Sequence, residues 1–197
     1  MATNKQPILK RCKTLKISPV VMGINKESNR NQKQNRRKQS EYALQLNEKQ
    51  KLKFIYGVLE KQFYKYYTMA TKTNGITGEV LLQLLERRLD NVVFRLGYAS
   101  TRREARQLIG HGHFTVNGAK VDIPSYLVKP GEVIAIREKS RSSVKFKAVM
   151  EANEKWLVPK WLTKDAANFS GTVVAMPERG DIDFEVAEHL IVELYSK

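Results

Sequence analysis

Apolar residues recur at helical spacing in two adjoining stretches near the middle of the chain, with arginines filling the positions between them. Leu89, Val92, Val93 and Leu96 fall within an arc of roughly 100° at about 3.6 residues per turn, and Arg87, Arg88, Asn91 and Arg95 gather on the opposite side. Gly97 is placed to end this helix, because glycine takes the left-handed conformation without a steric cost. Thr101, two arginines and Glu104 then form a capping-box pattern, in which the hydroxyl and the carboxylate each satisfy a free backbone donor. In the helix that follows, Ala105, Leu108 and Ile109 share one narrow arc and Arg102, Arg103 and Arg106 fill the arc beside it. Each helix therefore has one face to bury and one cationic face to present.

Gly110 and Gly112 stop the second helix. Phe114 to Val116, Asn117-Gly118 and Ala119 to Ile123 read as a hairpin with the Asn-Gly turn that suits type I′ geometry. Lys129-Pro130-Gly131-Glu132 supplies the next turn and Val133 to Arg137 the next strand. Upstream, Ser40 opens a helical region in which Leu44, Leu46, Leu52, Ile55, Tyr56, Leu59, Phe63 and Tyr66 or Tyr67 recur, interleaved with Lys49, Lys51, Lys53, Lys61 and Lys65. Aromatic residues at this spacing usually belong to a core, and Tyr56 is read as core rather than as a stacking platform. Lys72 to Gly78 is a turn-rich break before a second helical pattern, Val80 to Leu85. Downstream, Lys139 to Lys147 reads as a phosphate-contacting loop, although a solvated turn would have the same composition. Val149 to Leu162 is apolar enough to pack against a sheet, Thr172 to Met176 reads as a strand, and Ala187, Leu190, Ile191 and Leu194 form a stripe near the C-terminus.

Charge sharpens this picture. Thirty-five Lys and Arg against 20 Asp and Glu give a net charge of +15, which favours a polyanionic partner, most commonly nucleic acid. Residues 1–39 hold eleven bases against a single acid, Glu27, and Asn25 to Ser40 contains no apolar residue. Such a segment cannot offset its own ordering entropy; it reads either as a dispensable tail or, favoured by the rest of the chain, as an arm that orders on phosphates. The sign reverses at the other end, where Glu178, Asp181, Asp183, Glu185, Glu188 and Glu193 make RNA contact unfavourable.

Several classes are set aside. With 28% charged residues and a mean hydropathy of −0.46, no run approaches the ~20 apolar residues of a membrane span. The N-terminus has no apolar signal-peptide core. The single cysteine, Cys12, excludes an internal disulfide, and with three scattered histidines it does not build a structural zinc site. Gly110-His111-Gly112 lacks the lysine and hydroxyl of a phosphate-cradling loop, and Asp181 and Asp183 have no His or Cys nearby. No catalytic residue, metal site or cofactor is therefore expected.

The run RLDNVVFRLGYASTRREARQLIGHGHFTVNGAKVDIPSY closely resembles the RNA-binding module named after bacterial small-subunit ribosomal protein four. The upstream run SEYALQLNEKQKLKFIYGVLEKQF and the C-terminal AEHLIVELYSK resemble the rest of that family, so the likeness covers roughly Ser40 to Lys197. Some members carry a four-cysteine zinc knuckle near the N-terminus; with Cys12 alone there, this chain resembles the zinc-free form.

The resemblance implies an α+β protein: a helical domain, residues 40–86 with about 177–197, interrupted by a small α/β RNA-binding module and its sheet extension, 87–176. The module would have two helices and a mainly antiparallel sheet, and a basic N-terminal arm, 1–39, would precede the whole. It implies a structural, non-enzymatic component of the small ribosomal subunit, in the cytoplasm in preference to an organelle. Such a protein binds the 5′ domain of small-subunit ribosomal RNA at a five-way junction, nucleates assembly of the subunit body and contributes to translational accuracy. Its partners would include small-subunit ribosomal protein five and messenger RNA at the entry channel, with no membrane; some members repress their own messenger. The residues expected to bind RNA are Arg36, Arg37, Lys38, Lys51, Arg87, Arg88, Arg95, Thr101, Arg102, Arg103, Arg106, Gln107, His111, His113, Asn117, Lys120, Lys139, Arg141 and Lys145. The module alone also occurs in RNA-modifying enzymes, which need a further catalytic domain, and in ribosome-rescue or RNA-chaperone factors, whose chains usually stop soon after it.

Overall fold

The computed structural model describes residues 6–26, 39–153 and 156–196, and the chain divides into two units, residues 1–82 with 182–197 and residues 83–181.

The first unit is helical. Helix α1 (Ile8–Leu15) and a 3-10 turn (Pro19–Met22) bury Cys12, Leu15, Ile17 and Met22. The expectation of an arm that orders only on phosphates thus fails for residues 8–22, whose sparse apolar positions are spaced to cover one another. Residues 27–38, the most basic part of that arm, lie outside the described residues.

Helix α2 (Glu41–Tyr56) starts at Ser40, whose Oγ accepts from Ala43 N at 3.3 Å, and ends at Gly57 with φ +63°. That glycine divides the single long helical region read from the sequence, and α3 (Glu60–Thr71) begins three residues later. The C-terminal helix α9 (Glu188–Ser196) packs on α2: the fully buried Gln45 donates to Glu41 Oε1 at 3.2 Å and to Glu193 Oε2 at 3.1 Å, and Ala187 N donates to Glu48 Oε2 at 3.1 Å. Helix α4 (Thr77–Glu86) approaches the same helix at Gly78, where a Cβ would stand 2.8 Å from Glu188 Cγ. Tyr195 closes the packing, its ring 4.6 Å from that of Tyr67 and its hydroxyl 2.7 Å from Glu60 Oε1.

The second unit is a five-stranded antiparallel sheet backed by helices, so the protein is α+β. Helices α5 (Leu89–Arg95) and α6 (Arg102–Gly110) precede strands β1 (Phe114–Val116), β2 (Ala119–Lys120) and β3 (Val133–Ile136). Asn117 and Gly118, at φ +49° and +82°, supply the two positive dihedrals of the I′ turn. Residues 138–152, expected as a loop at their start, instead form α7 (Glu138–Arg141) and α8 (Val144–Ala152); the Phe146 ring has an apolar face to cover and coils the segment back onto the core. Strand β4 (Leu162–Asp165), absent from the sequence reading, pairs with β5 (Ser170–Val173) to give the order β2-β1-β3-β5-β4.

One face of the sheet carries Phe114, Val116, Ile134, Ile136, Leu162 and Val173, and these pack on Leu89, Val92, Val93, Leu96, Ala105, Leu108 and Ile109. Gly171 sits beneath Leu96, which would lie 2.6 Å from any Cβ placed there, so the absent side chain sets how closely helix and sheet meet.

Candidate nucleic-acid interface

The polar contents of α5 and α6 divide sharply into buried and exposed sets. Arg88, Arg95 and Arg102, expected on a presented cationic face, are only 1%, 6% and 6% exposed. Charges removed from water this far require opposite charges at contact distance, and the sequence provides them in Glu86 and Asp90. Arg88 grips Asp90 in a bidentate pair, Nε to Oδ1 at 3.0 Å and Nη2 to Oδ2 at 2.5 Å. Arg95 does the same to Glu86, at 3.2 and 3.0 Å. Asn91 links the helices: its Nδ2 donates to Glu86 Oε2 at 2.7 Å and its Oδ1 accepts from Arg102 Nε at 2.8 Å. The Arg102 guanidinium also stacks 4.4 Å above the Phe94 ring.

This network corrects the reading of Arg88, Arg95 and Arg102 as direct RNA ligands. Helical periodicity placed them opposite the apolar arc, but α5 is only seven residues long and is covered on every side, so no face of it meets solvent. Arg95 ties α5 to the end of α4, Arg88 braces the first turn of α5, and Arg102 joins α5 to the start of α6 through Asn91. Arg87 is partly diverted as well: its Nε donates to Val128 O at 2.8 Å, its carbonyl accepts from Val128 N, and burial lowers its pKa. Arg106 lies half-buried with Nη1 3.8 Å from Asp90 Oδ2.

Helix α6 begins as its capping box predicts, with Glu104 N donating to Thr101 Oγ1 at 3.1 Å; the Glu104 carboxylate reaches Ser100 N at 2.9 Å. Thr101 is therefore a cap. Arg103 and Gln107 project from the exposed side of the same helix. Where α6 ends, the Gly112 corner collects cations from several elements. His111 is exposed and His113 half-buried, with rings 6.1 Å apart and His113 Nδ1 2.9 Å from Ser140 Oγ. The Lys120 stem crosses directly over Gly112, where a Cβ would be 2.4 Å from Lys120 Cε. Arg137 Nη1 donates to Gly112 O at 3.2 Å, Arg141 Nε donates to Ile136 O at 3.0 Å, and Lys145 reaches Glu104 Oε1 at 3.0 Å.

The corner thus assembles His111, His113, Lys120 and Lys145, with Arg103 and Gln107 on the exposed side of the helix that leads into it and Lys139 exposed on α7; Arg141, expected with them, turns to Ile136 O and the Phe169 ring. Arg137 belongs to the corner but escaped the sequence reading; its place one residue beyond the apolar run of β3 was the available signal. The corner leaves out Asn117, whose Oδ1 accepts from Val133 N at 2.9 Å and so braces the hairpin. Lys51 lies in the helical unit and pairs with Glu48 at 3.6 Å. Arg36, Arg37 and Lys38 are outside the described residues. The concentration of positive charge is visible in His113: burial first, then His111, Lys145 and Arg137, push its pKa below the ordinary 6.5. Chemically the corner offers forked and point-charge donors to phosphate oxygens at the edge of a rigid helix pair. Among the described residues, no group of three or more His, Cys, Asp or Glu is placed to hold a metal ion, and no helix is long and apolar enough to cross a membrane.

Similarity to known proteins follows the same two regions. The family model described as S4 domain matches residues 87–134, and that described as ribosomal protein S4/S9 N-terminal domain matches residues 3–86. The chain is 57% identical over 197 residues to the small ribosomal subunit protein uS4 of Lachnospira eligens, covering 100% of both chains. It is 53% identical to uS4 of Agathobacter rectalis over the same extent, and 65% identical to uS4A of Alkaliphilus oremlandii over 164 residues, 83% of this chain and 79% of that one. With likeness at this level running from end to end, the chain belongs to the small ribosomal subunit protein uS4 family.

Proposed function

We propose that this protein is a structural, non-enzymatic component of the small ribosomal subunit that binds ribosomal RNA through the Gly112 corner. The observation that carries the site is the convergence of Arg103, His111, Lys120, Lys139 and Lys145 from α6, the corner, β2, α7 and α8 onto one edge of the second unit. A fixed array of this kind matches the shape of folded RNA through its phosphates, with base edges contributing little. Arg88, Arg95 and Arg102 position the array from behind, and Arg87 and Arg106 act at its border.

The finer reading is that the RNA is the 5′ domain of the small-subunit ribosomal RNA, and that docking there nucleates assembly of the subunit body. The neighbouring ribosomal protein would be protein five, through which the chain contributes to translational accuracy. Lys51 and the bases Arg36, Arg37 and Lys38 would supply further phosphate contacts, including to messenger at the entry channel. The place of action is the ribosome of the cytoplasm.

Sedimentation of cell extract through a sucrose gradient tests this directly. Stoichiometric presence in small subunits after a high-salt wash is the expected result; loose or substoichiometric association contradicts it. A footprint of the purified protein on small-subunit RNA then tests the 5′-domain assignment.

A further inference from the structure

At the Gly112 corner two imidazoles lie inside a field of fixed cations. Lys120 reaches over Gly112 from β2, Arg137 approaches from the end of β3 and Lys145 from α8, while Phe146 lays its ring against His113 at 5.6 Å; Arg141 on α7 turns instead to Ile136 O and the Phe169 ring. The acids on these elements or next to them are Glu104, held by Lys145 at 3.0 Å, Asp122, 4.0 Å from Lys120, Glu138 at the start of α7 and Glu151 near the end of α8; α7 and α8 also carry Lys139 and Lys147. Burial and the charges of Lys145 and Arg137 act together on His113, so the free protein resists a proton on that ring. A phosphodiester seated on the corner reverses the local potential.

The hydrogen-bond geometry sharpens the point. In the tautomer whose Nδ1 donates to Ser140 Oγ, Nε2 of neutral His113 carries a lone pair, which repels a phosphate oxygen. A proton taken from solvent converts that same atom into a charged donor.

We propose that His113 takes up a proton when an RNA phosphate docks at the Gly112 corner, so that RNA binds more tightly in mildly acidic solution. The inference rests on the RNA-binding reading of this site and adds its regulation by pH. The sign follows from linkage. Burial, His111, Lys145 and Arg137 hold His113 below 6.5 in the free protein, and bound phosphate raises it. The added affinity is therefore complete below the free-protein value and disappears as pH rises through the bound value.

The test is isothermal titration of the full chain with a small-subunit ribosomal RNA 5′-domain fragment at pH 6.5, in two buffers of different ionisation enthalpy. Wild type should take up protons on binding, and the His113→Gln variant should take up about one proton fewer. The RNA's own protonation is common to both and cancels. Equal uptake in the two proteins overturns the proposal. A second measurement is free of any folding defect: the His113 imidazole Cε1–H resonance of wild type, titrated with and without saturating RNA. A midpoint that rises with RNA supports proton uptake, and a midpoint that stays in place overturns it. Absence of saturable binding at every pH would instead overturn the RNA-binding reading itself.

Discussion

Arg95 of α5 and Glu86 at the end of α4 face each other with Nη2 3.0 Å from Oε1, both almost wholly out of solvent. The second Glu86 oxygen holds Asn91, and Asn91 holds Arg102 at the first position of α6. One carboxylate therefore sets, through two intermediates, the direction in which α6 leaves its cap and carries Arg103 outward. Buried charge here serves placement of exposed charge, which explains why a basic protein keeps Glu86 and Asp90 within its most arginine-rich stretch.

Removing one partner of such a pair leaves the other charged and desolvated. Glu86→Ala should lower the unfolding free energy by about 3 to 5 kcal/mol in a urea melt. Glu86→Ala combined with Arg95→Met should recover much of that loss, since no charge is then left stranded. A double variant as unstable as the single would show that the pair contributes little beyond its packing.

Adjacent arginines should behave oppositely. Arg102→Ala removes a 2.8 Å bond to Asn91 and the stack on Phe94, and is expected to cost about 2 to 3 kcal/mol of stability. Arg103→Ala, at an exposed position, should leave the melt within about 0.5 kcal/mol of wild type while weakening RNA binding by about 1 to 3 kcal/mol. Thermal melts and filter binding on the two variants check the contrast.

In the helical unit, Glu60 should give an acid-range signature. Burial opposes its charge, but hydrogen bonds from Lys53, Tyr195 and Lys49 outweigh that and lower its pKa from 4.5 to about 2. A carboxylate with a depressed folded-state value stabilises fully above its unfolded value and loses that contribution as pH falls through the folded one. Melting temperature should thus show a small step between pH 4.5 and about 2 that Glu60→Gln lacks, small because the carboxylate side chain is 47% exposed and screened by solvent.

Gly171→Ala tests the closeness of helix and sheet. Its Cβ would fall 2.6 Å from one Leu96 methyl and 2.7 Å from the other, and the overpacking should cost about 1 to 3 kcal/mol in a denaturant melt.

Much of the fold was legible because local signals agreed with one another. The Ser40 and Thr101 caps, the Asn117-Gly118 turn and the apolar arcs of α5 and α6 appear where their chemistry puts them. Strand β4 was not legible, because Leu162-Thr163-Lys164-Asp165 is polar and sits at the sheet edge, where only one neighbour dictates its conformation. The divided role of the arginines was not legible either. Periodicity tells which side of a helix is polar, but whether that side meets solvent or a second polar layer depends on what covers it. The presence of Glu86, Asp90 and Asn91 among six arginines was the sequence signal for an internal layer.

The salt dependence of binding measures directly whether the exposed cations of the Gly112 corner meet RNA phosphates. With a 5′-domain ribosomal RNA fragment, Arg103→Ala/Lys120→Ala/Lys139→Ala should bind with a slope of log K against log salt that is smaller by about two to three than wild type, because each lost phosphate contact releases roughly one counterion fewer. A triple variant that keeps both the wild-type slope and the wild-type affinity would place the RNA elsewhere on the protein.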